Sequence, residues 1–282
     1  MSLSDDPNPA PSANLDLPGL LVEPSWLEER LDDLDLRIVD LRDSDAYLSG
    51  HVPGAVHVDL AELGSSAAGC DNVLVSPGEF GDLMAERGIS SGDRIVAYDD
   101  QWGLASARLI WALHYYGHPR AAVLNGGWDR WRDEDREAAS GEKRPAVGRF
   151  EAALRDELHA DIEWIVRGIE TGGRVLLDSR TPTEFEEGHL PGAVSWDWFN
   201  AVPDGSWDVS RDPVELRAEW RDLGIDPSEE VTVYCRSGMR AAHTWLVLRN
   251  AGFSRVRLYD GSWQEWSMKM EQMEKMEDED GD

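Results

Sequence analysis

Cysteine and lysine are both scarce in this chain, with two of the first and three of the second among 282 residues. Two cysteines in unlike surroundings cannot build a disulfide framework, and they fit a reducing, cytoplasmic setting. Long apolar runs are missing too. The longest falls far short of the roughly 20 residues that a membrane span needs, so no membrane partner is expected. The first ten residues are acidic and proline-containing, without the basic start or apolar stretch of a secretory leader. Positive charge is also in short supply: 27 basic against 56 acidic residues give a net charge of −29. Such a surface argues against nucleic acid and anionic membranes. It reads as adaptation to a salt-rich cytoplasm, since at 1 M salt charges are screened beyond about 3 Å. Full folding and activity in dilute buffer would rule that out. An anionic substrate is admissible only at a locally basic pocket.

What is present is a globular composition, 41% hydrophobic with 13 Trp, and enough chain for two ordinary domains. The chain also repeats itself. Residues 38–60 lie over residues 176–198 without a gap, with identity at nine of the 23 positions. Asp40, Arg42, Gly50 and His51 recur as Asp178, Arg180, Gly188 and His189, and Pro-Gly-Ala-Val follows one residue later in both. Further on, Asn125-Gly-Gly-Trp128 with Trp131 matches Asp260-Gly-Ser-Trp263 with Trp266. A period this long is a tandem domain duplication, not a solenoid.

Strand and helix patterns alternate in each copy. The first shows strands at Leu36–Asp40 and Arg94–Tyr98 and helices at Pro77–Arg87 and Leu104–Tyr116. The second shows strands at Arg174–Leu177, Val231–Tyr234 and Val256–Tyr259. Its helices are expected at Asp161–Glu170, Pro213–Leu223 and Arg240–Ala251, with another from Ser262. The fold class is therefore α/β, two tandem domains each built on a mainly parallel sheet with helices on both faces. The expected layout is a disordered tail at 1–18, a first domain at 19–137, a linker at 138–150, a second domain at 151–268 and an acidic tail at 269–282.

Ligands of parallel sheets bind beyond the carboxyl ends of strands, where one residue stands out. Cys235 follows the strand Val231–Tyr234 and opens the run Cys235-Arg-Ser-Gly-Met-Arg240. A loop leading into a helix offers backbone N–H groups, and two arginines flank the thiol; both favour thiolate. A free thiol of pKa 8.5 is only about 3% ionised at pH 7, whereas one near 6.5 is about 75% ionised. Cys70, by contrast, has neither a cation nor a following helix in its local sequence.

These motifs together resemble the rhodanese family, in particular its two-domain thiosulfate sulfurtransferases. The resemblance rests on Asp-x-Arg followed by Gly-His-x-Pro-Gly-Ala in both halves, on the loop from Cys235 to Arg240, and on Gly-Ser-Trp263. It covers nearly all of residues 20–266 and implies that only the second domain is catalytic. In keeping with that, Asp99 stands where the second copy has Cys235, in a loop one residue longer, which is expected not to aim its amides the same way. The implied chemistry is attack by the Cys235 thiolate on the outer sulfur of thiosulfate, release of sulfite, and transfer of the persulfide sulfur to a thiophilic acceptor such as cyanide or a thiol, including a protein thiol. Arg236, Ser237, Gly238, Met239, Arg240 and Arg180 are the expected substrate-binding residues, with Arg236 and Arg240 neutralising the dianion. No metal or organic cofactor is expected. Two departures bear on substrate choice: Ser237 and Glu184 occupy positions where animal thiosulfate enzymes often carry basic residues. The two-arginine loop still favours thiosulfate over 3-mercaptopyruvate.

Other readings stand beside this one. Arg42 and Arg180 read first as ion-pair partners of the neighbouring Asp, His51 and His189 as turn-stabilising hydrogen-bonders, and His243 as a packing residue. The tryptophan pairs read as helix packing. A phosphatase or arsenate reductase of the same fold needs Cys-x5-Arg, and Arg240 comes one position too early. A sulfur carrier or partner-binding module is the alternative from a different class.

Overall fold

The computed structural model describes residues 17–67 and 70–270, so most of the expected N-terminal tail and of the acidic C-terminal tail lies outside the described residues. The first half runs β1 (Leu21–Val22), α1 (Pro24–Glu28), β2 (Leu36–Asp40), α2 (Ser44–Ser49), β3 (Val56–His57), β4 (Gly64–Ala67), β5 (Cys70–Leu74), α3 (Pro77–Glu86), β6 (Arg94–Tyr98), α4 (Leu104–Tyr115), β7 (Ala121–Leu124) and α5 (Gly127–Asp133). The second runs β8 (His159–Ala160), α6 (Ile162–Thr171), β9 (Val175–Asp178), α7 (Pro182–Glu187), β10 (Val194–Ser195), α8 (Pro213–Asp222), β11 (Val231–Tyr234), α9 (Met239–Asn250) and β12 (Val256–Tyr259), and residues 262–270 are again helical.

Each half forms a five-stranded sheet, in the orders β1-β7-β6-β2-β3 and β8-β12-β11-β9-β10. Every pairing within them is parallel. The orders correspond strand for strand, so the duplication read from the motifs extends to the whole architecture. The halves differ at the β4–β5 hairpin, an antiparallel pair with no equivalent among the described residues of the second half.

Alternation along the central strands sorts side chains to two faces. Ile95 and Ala97 of β6, with Val231 and Val233 of β11, enter one apolar core that runs through both halves and takes in α3, α4, α8 and α9. Val96 and Tyr98 face a separate cluster with Tyr47 and Trp131, and Tyr234 faces its counterpart with Ile165 and Trp266. Helices thus cover both faces of each sheet, and α4 packs against α9 at the junction of the halves. Helix starts follow local chemistry. Pro77, Pro182 and Pro213 occupy first-turn positions, and Ser76, Thr181 and Asp212 accept capping hydrogen bonds from helix amides.

The segment 138–150 is extended and held against the first half. Ala139 pairs with His51, the Gly148 amide donates to Ala85 O at 2.8 Å, and Phe150 is buried edge-on to Phe80. Among the described residues no helix is long and apolar enough to cross a membrane.

Candidate active site

The buried strand β11 ends at Tyr234, and the chain turns through Cys235, Arg236, Ser237 and Gly238 into α9. Gly238 caps the helix at φ +84°, a left-handed conformation that glycine adopts without a Cβ penalty. The turn is pinned from the helix that follows β12. The amides of Trp263 and Gln264 donate to Cys235 O and Arg236 O at 3.0 and 3.1 Å. The Cys235 amide donates to Ser262 Oγ at 3.2 Å, and that hydroxyl donates to Tyr259 O at 2.8 Å. Ser262 holds φ +53°, uncommon for a residue with a side chain. Cys235 itself is 1% exposed, at the base of this turn.

Arg240, in the first turn of α9, makes a two-pronged ion pair with Glu184: Nη1 to Oε2 at 2.6 Å and Nη2 to Oε1 at 2.8 Å. Glu184 also closes the capping box of α7 with Thr181. The Arg240 hydrogen bonds, followed by those of Thr181 against the opposing effect of burial, hold the Glu184 carboxyl down to about 2. Arg240 is raised in turn, first by its hydrogen bonds to Glu184. Arg240, expected to neutralise a dianion, has its charge matched by the Glu184 carboxylate. Arg236 differs. It is exposed, has no ion-pair partner among the described residues, and borders a cavity of about 320 Å³ with Arg180, Glu184, Glu187, Trp263 and Gln264. Ser237 and Met239 are half-buried parts of the same turn.

Arg180 belongs first to the scaffold. Its Nε and Nη2 bond Asp178 at 3.0 and 2.7 Å, Nη2 also reaches Gly188 O at 2.6 Å, and the guanidinium lies 4.7 Å from the Trp263 ring centre. The first half repeats this: Arg42 bonds Asp40 and Gly50 O beneath Trp128. Anchoring of the strand end is what the geometry supports for both arginines, although Arg180 also lines the cavity. Trp128 and Trp263 therefore roof these arginines, a more specific role than helix packing. His51 and His189 each bond, through Nδ1, the carbonyl four residues earlier at 2.9 Å, as their matching places in the two copies suggested. Buried His243 directs Nε2 to Trp102 O and Val209 O, both at 3.1 Å, so it ties the halves together; burial holds it down to about 4.

The first-half loop departs from expectation. Its amides do converge, but on the carboxylate of Asp99 itself: Gln101 and Gly103 donate to Oδ1 at 2.8 and 2.9 Å, and the Ser106 amide and hydroxyl both donate to Oδ2 at 2.7 Å. Five residues, Asp99 to Gly103, stand where the second half has four. The first loop is thus an anion nest filled by its own side chain. Cys70 sits elsewhere, in β5, where burial and the nearby Glu265, Asp71 and Asp260 push its thiol up.

Sequence reasoning did not find the roles of Glu184 and Ser262, or the ion pair of Arg108 Nη2 with Asp260 Oδ1 at 2.6 Å beside Gly238. Ser262 lay inside a noted motif, but its bond to the Cys235 amide depends on a left-handed turn that carries no pattern. Arg108 comes from the other half and has no local signal.

A duplicated parallel α/β domain, with one thiol set at a strand end in a turn that leads into a helix, defines a tandem-domain protein of cysteine-centred chemistry. A model of the rhodanese-like domain matches twice, at residues 23–134 and 161–269. The chain belongs to the rhodanese family. A thiosulfate sulfurtransferase of Corynebacterium glutamicum is 35% identical over 275 residues, covering 88% of each chain. A protein of Thermus thermophilus named sulfur carrier protein TtuD is 33% identical over 88% of this chain and 94% of its own. Among solved structures, SseA from Escherichia coli, described with the 3-mercaptopyruvate sulfotransferases, superposes with a TM-score of 0.80 at 27% identity, covering 87% of this chain and 99% of its own.

Proposed function

We propose that the chain is a sulfurtransferase that takes the outer sulfur of thiosulfate onto Cys235 and hands it to a thiophilic acceptor. The observation that carries this reading is the placement of Cys235: first residue of a pinned four-residue turn at the sheet's carboxyl edge, leading into a helix whose first turn carries Arg240, fixed by Glu184. The Cys235 thiolate attacks the outer sulfur, the S–S bond of thiosulfate breaks, and sulfite leaves with both of its negative charges. The remaining charge sits on the terminal sulfur of the new persulfide, where the helix N-terminus and the Arg240 guanidinium stabilise it. Cyanide or a thiolate then takes that sulfur and the Cys235 thiolate returns. This is covalent catalysis in two half-reactions, with ping-pong kinetics as its signature.

Arg236 supports an inorganic dianion as donor, because it is an exposed cation next to Cys235 with no ion-pair partner among the described residues. The thiosulfate sulfurtransferase of C. glutamicum points the same way. A second reading, 3-mercaptopyruvate as donor, draws on the compensation of Arg240 by Glu184, which lowers the positive charge available to a dianion, and on the likeness to SseA. The T. thermophilus sulfur carrier keeps a protein thiol among the candidate acceptors. The reducing cytoplasm is the proposed location, since the nucleophile must stay free.

Steady-state assays with thiosulfate, 3-mercaptopyruvate and p-nitrophenyl phosphate test the reading side by side. Thiosulfate is expected to give the highest kcat/KM. A higher value for 3-mercaptopyruvate would reassign the donor, and phosphatase turnover lost in Cys235→Ser would reassign the chemistry.

A further inference from the structure

Each strand-to-helix loop presses against the opposite half of the molecule. A Cβ on Gly103, the N-cap of α4, would lie 2.9 Å from Val209 Cγ1. A Cβ on Gly238, the N-cap of α9, would lie 2.8 Å from Arg108 Nη1 and 2.9 Å from Asp260 Oδ1. The two surroundings correspond through the duplication, residue 108 to 243, 125 to 260 and 103 to 238. Around the first-half loop the set is neutral: His243 bonds Trp102 O and Val209 O, and Asn125 Oδ1 accepts from the Val209 amide at 3.0 Å. Around the Cys235 loop it is charged. Arg108 Nη2 pairs with Asp260 Oδ1 at 2.6 Å and bonds Asn72 O, while Asp260 Oδ2 accepts from the Leu74 amide at 2.8 Å.

The Arg108 side chain is 2% exposed, and its Nη1, the atom nearest Gly238, has no hydrogen-bond partner. A buried donor left unpaired is costly, and a cation at a helix N-terminus opposes the dipole. Neither feature stabilises α9 by itself. Both suit a loop that holds an anion: Asp260 balances the charge of the guanidinium, and Nη1 remains as a donor beside the helix N-terminus.

We propose that Arg108, supplied by the first half of the chain, is a positioning residue for the Cys235 loop: paired with Asp260, it fixes Gly238 beside the persulfide cradle and keeps one buried donor, Nη1, turned toward it. This rests on the sulfur transfer proposed above. The test replaces the charged set by its neutral counterpart from the other loop, R108H with D260N, and measures single-turnover persulfide formation from thiosulfate by intact mass. Far-UV circular dichroism and melting temperature are followed in parallel.

The double variant is expected to keep its fold and to form persulfide at least about tenfold more slowly, since small displacements of reacting groups have large effects on rate. R108K, which keeps the charge but not the planar fork, is expected to recover part of the rate. A rate within twofold of wild type in the folded double variant overturns the proposal. If the double variant does not fold, D260N alone is measured: a slowing of threefold or more supports the proposal, and an unchanged rate overturns it. Failure of the wild-type protein to form any Cys235 persulfide would instead sink the underlying reading.

Discussion

At the end of β6 the chain carries Asp99, and at the end of β11 it carries Cys235. Both follow a buried tyrosine whose hydroxyl accepts a backbone amide, from Val52 in one half and Leu190 in the other. Both have a carbonyl that receives the amide of a roofing tryptophan, at 2.9 and 3.0 Å. Both loops end at a left-handed glycine. The difference is what the amides hold. In the first half one extra residue lets the Asp99 carboxylate fold back and fill the nest. In the second a shorter turn begins with a thiol, and no side-chain carboxylate of its own loop fills it. The same plan thus yields one loop filled by its own carboxylate and one that opens with a thiol.

The sharpest way to break this comparison is at the two loop-opening residues. Cys235→Ser should abolish sulfur transfer, by at least about a thousandfold, as loss of a covalent nucleophile does. Stability should change by less than about 1 kcal/mol. Asp99→Cys should gain no activity, because its loop keeps the longer path. Rhodanese turnover by an Asp99→Cys, Cys235→Ser protein would show that loop length does not matter.

Next in size are the paired arginines. Arg42→Met and Arg180→Met each leave a buried aspartate uncompensated, which costs about 3–5 kcal/mol. If both are anchors, chemical denaturation should give similar losses in the two halves. A larger rise in thiosulfate KM for Arg180→Met than for Arg236→Ala would mark Arg180 as a substrate contact.

Asp99→Ala is a milder test of the filled nest. It strands two loop amides with the Ser106 amide and hydroxyl, and water entry offsets part of the loss, so about 2–3 kcal/mol of stability should go. Turnover should remain within about twofold at temperatures where the protein stays folded. A stability equal to wild type would mean that Asp99 does not fill the nest.

Smallest is the contrast between the loop arginines. Arg236→Ala should raise thiosulfate KM about tenfold, the size of one charge-assisted contact. Arg240→Ala should raise it less and should lower kcat, because Arg240 is tied to Glu184 in the first turn of the helix that the Cys235 loop enters. The reverse ranking would return dianion recognition to Arg240.

Much of this was legible in the sequence because the duplication is written in residues with fixed structural duties. Asp-x-Arg, Gly-His and Pro-Gly each recur where an ion pair, a stacked histidine and a turn are built. The long central strands β2, β6 and β11 are Val/Ile/Leu-rich, and their predicted bounds match those observed. The edge strands β1, β3, β8 and β10 were not legible, since two residues carry no periodicity, and the polar β4–β5 hairpin gave no apolar alternation to read. The least readable features of the site depend on distance in the chain. Glu184 meets Arg240 across 56 residues, and Arg108 meets Asp260 across the domain junction. No local pattern reports such contacts.

The most direct measurement is intact mass of the protein after exposure to thiosulfate, followed by cyanide. The account predicts a gain of one sulfur atom, located at Cys235, removed by cyanide and absent from Cys235→Ser. No gain in mass, or a gain that persists in Cys235→Ser on Cys70, would contradict it.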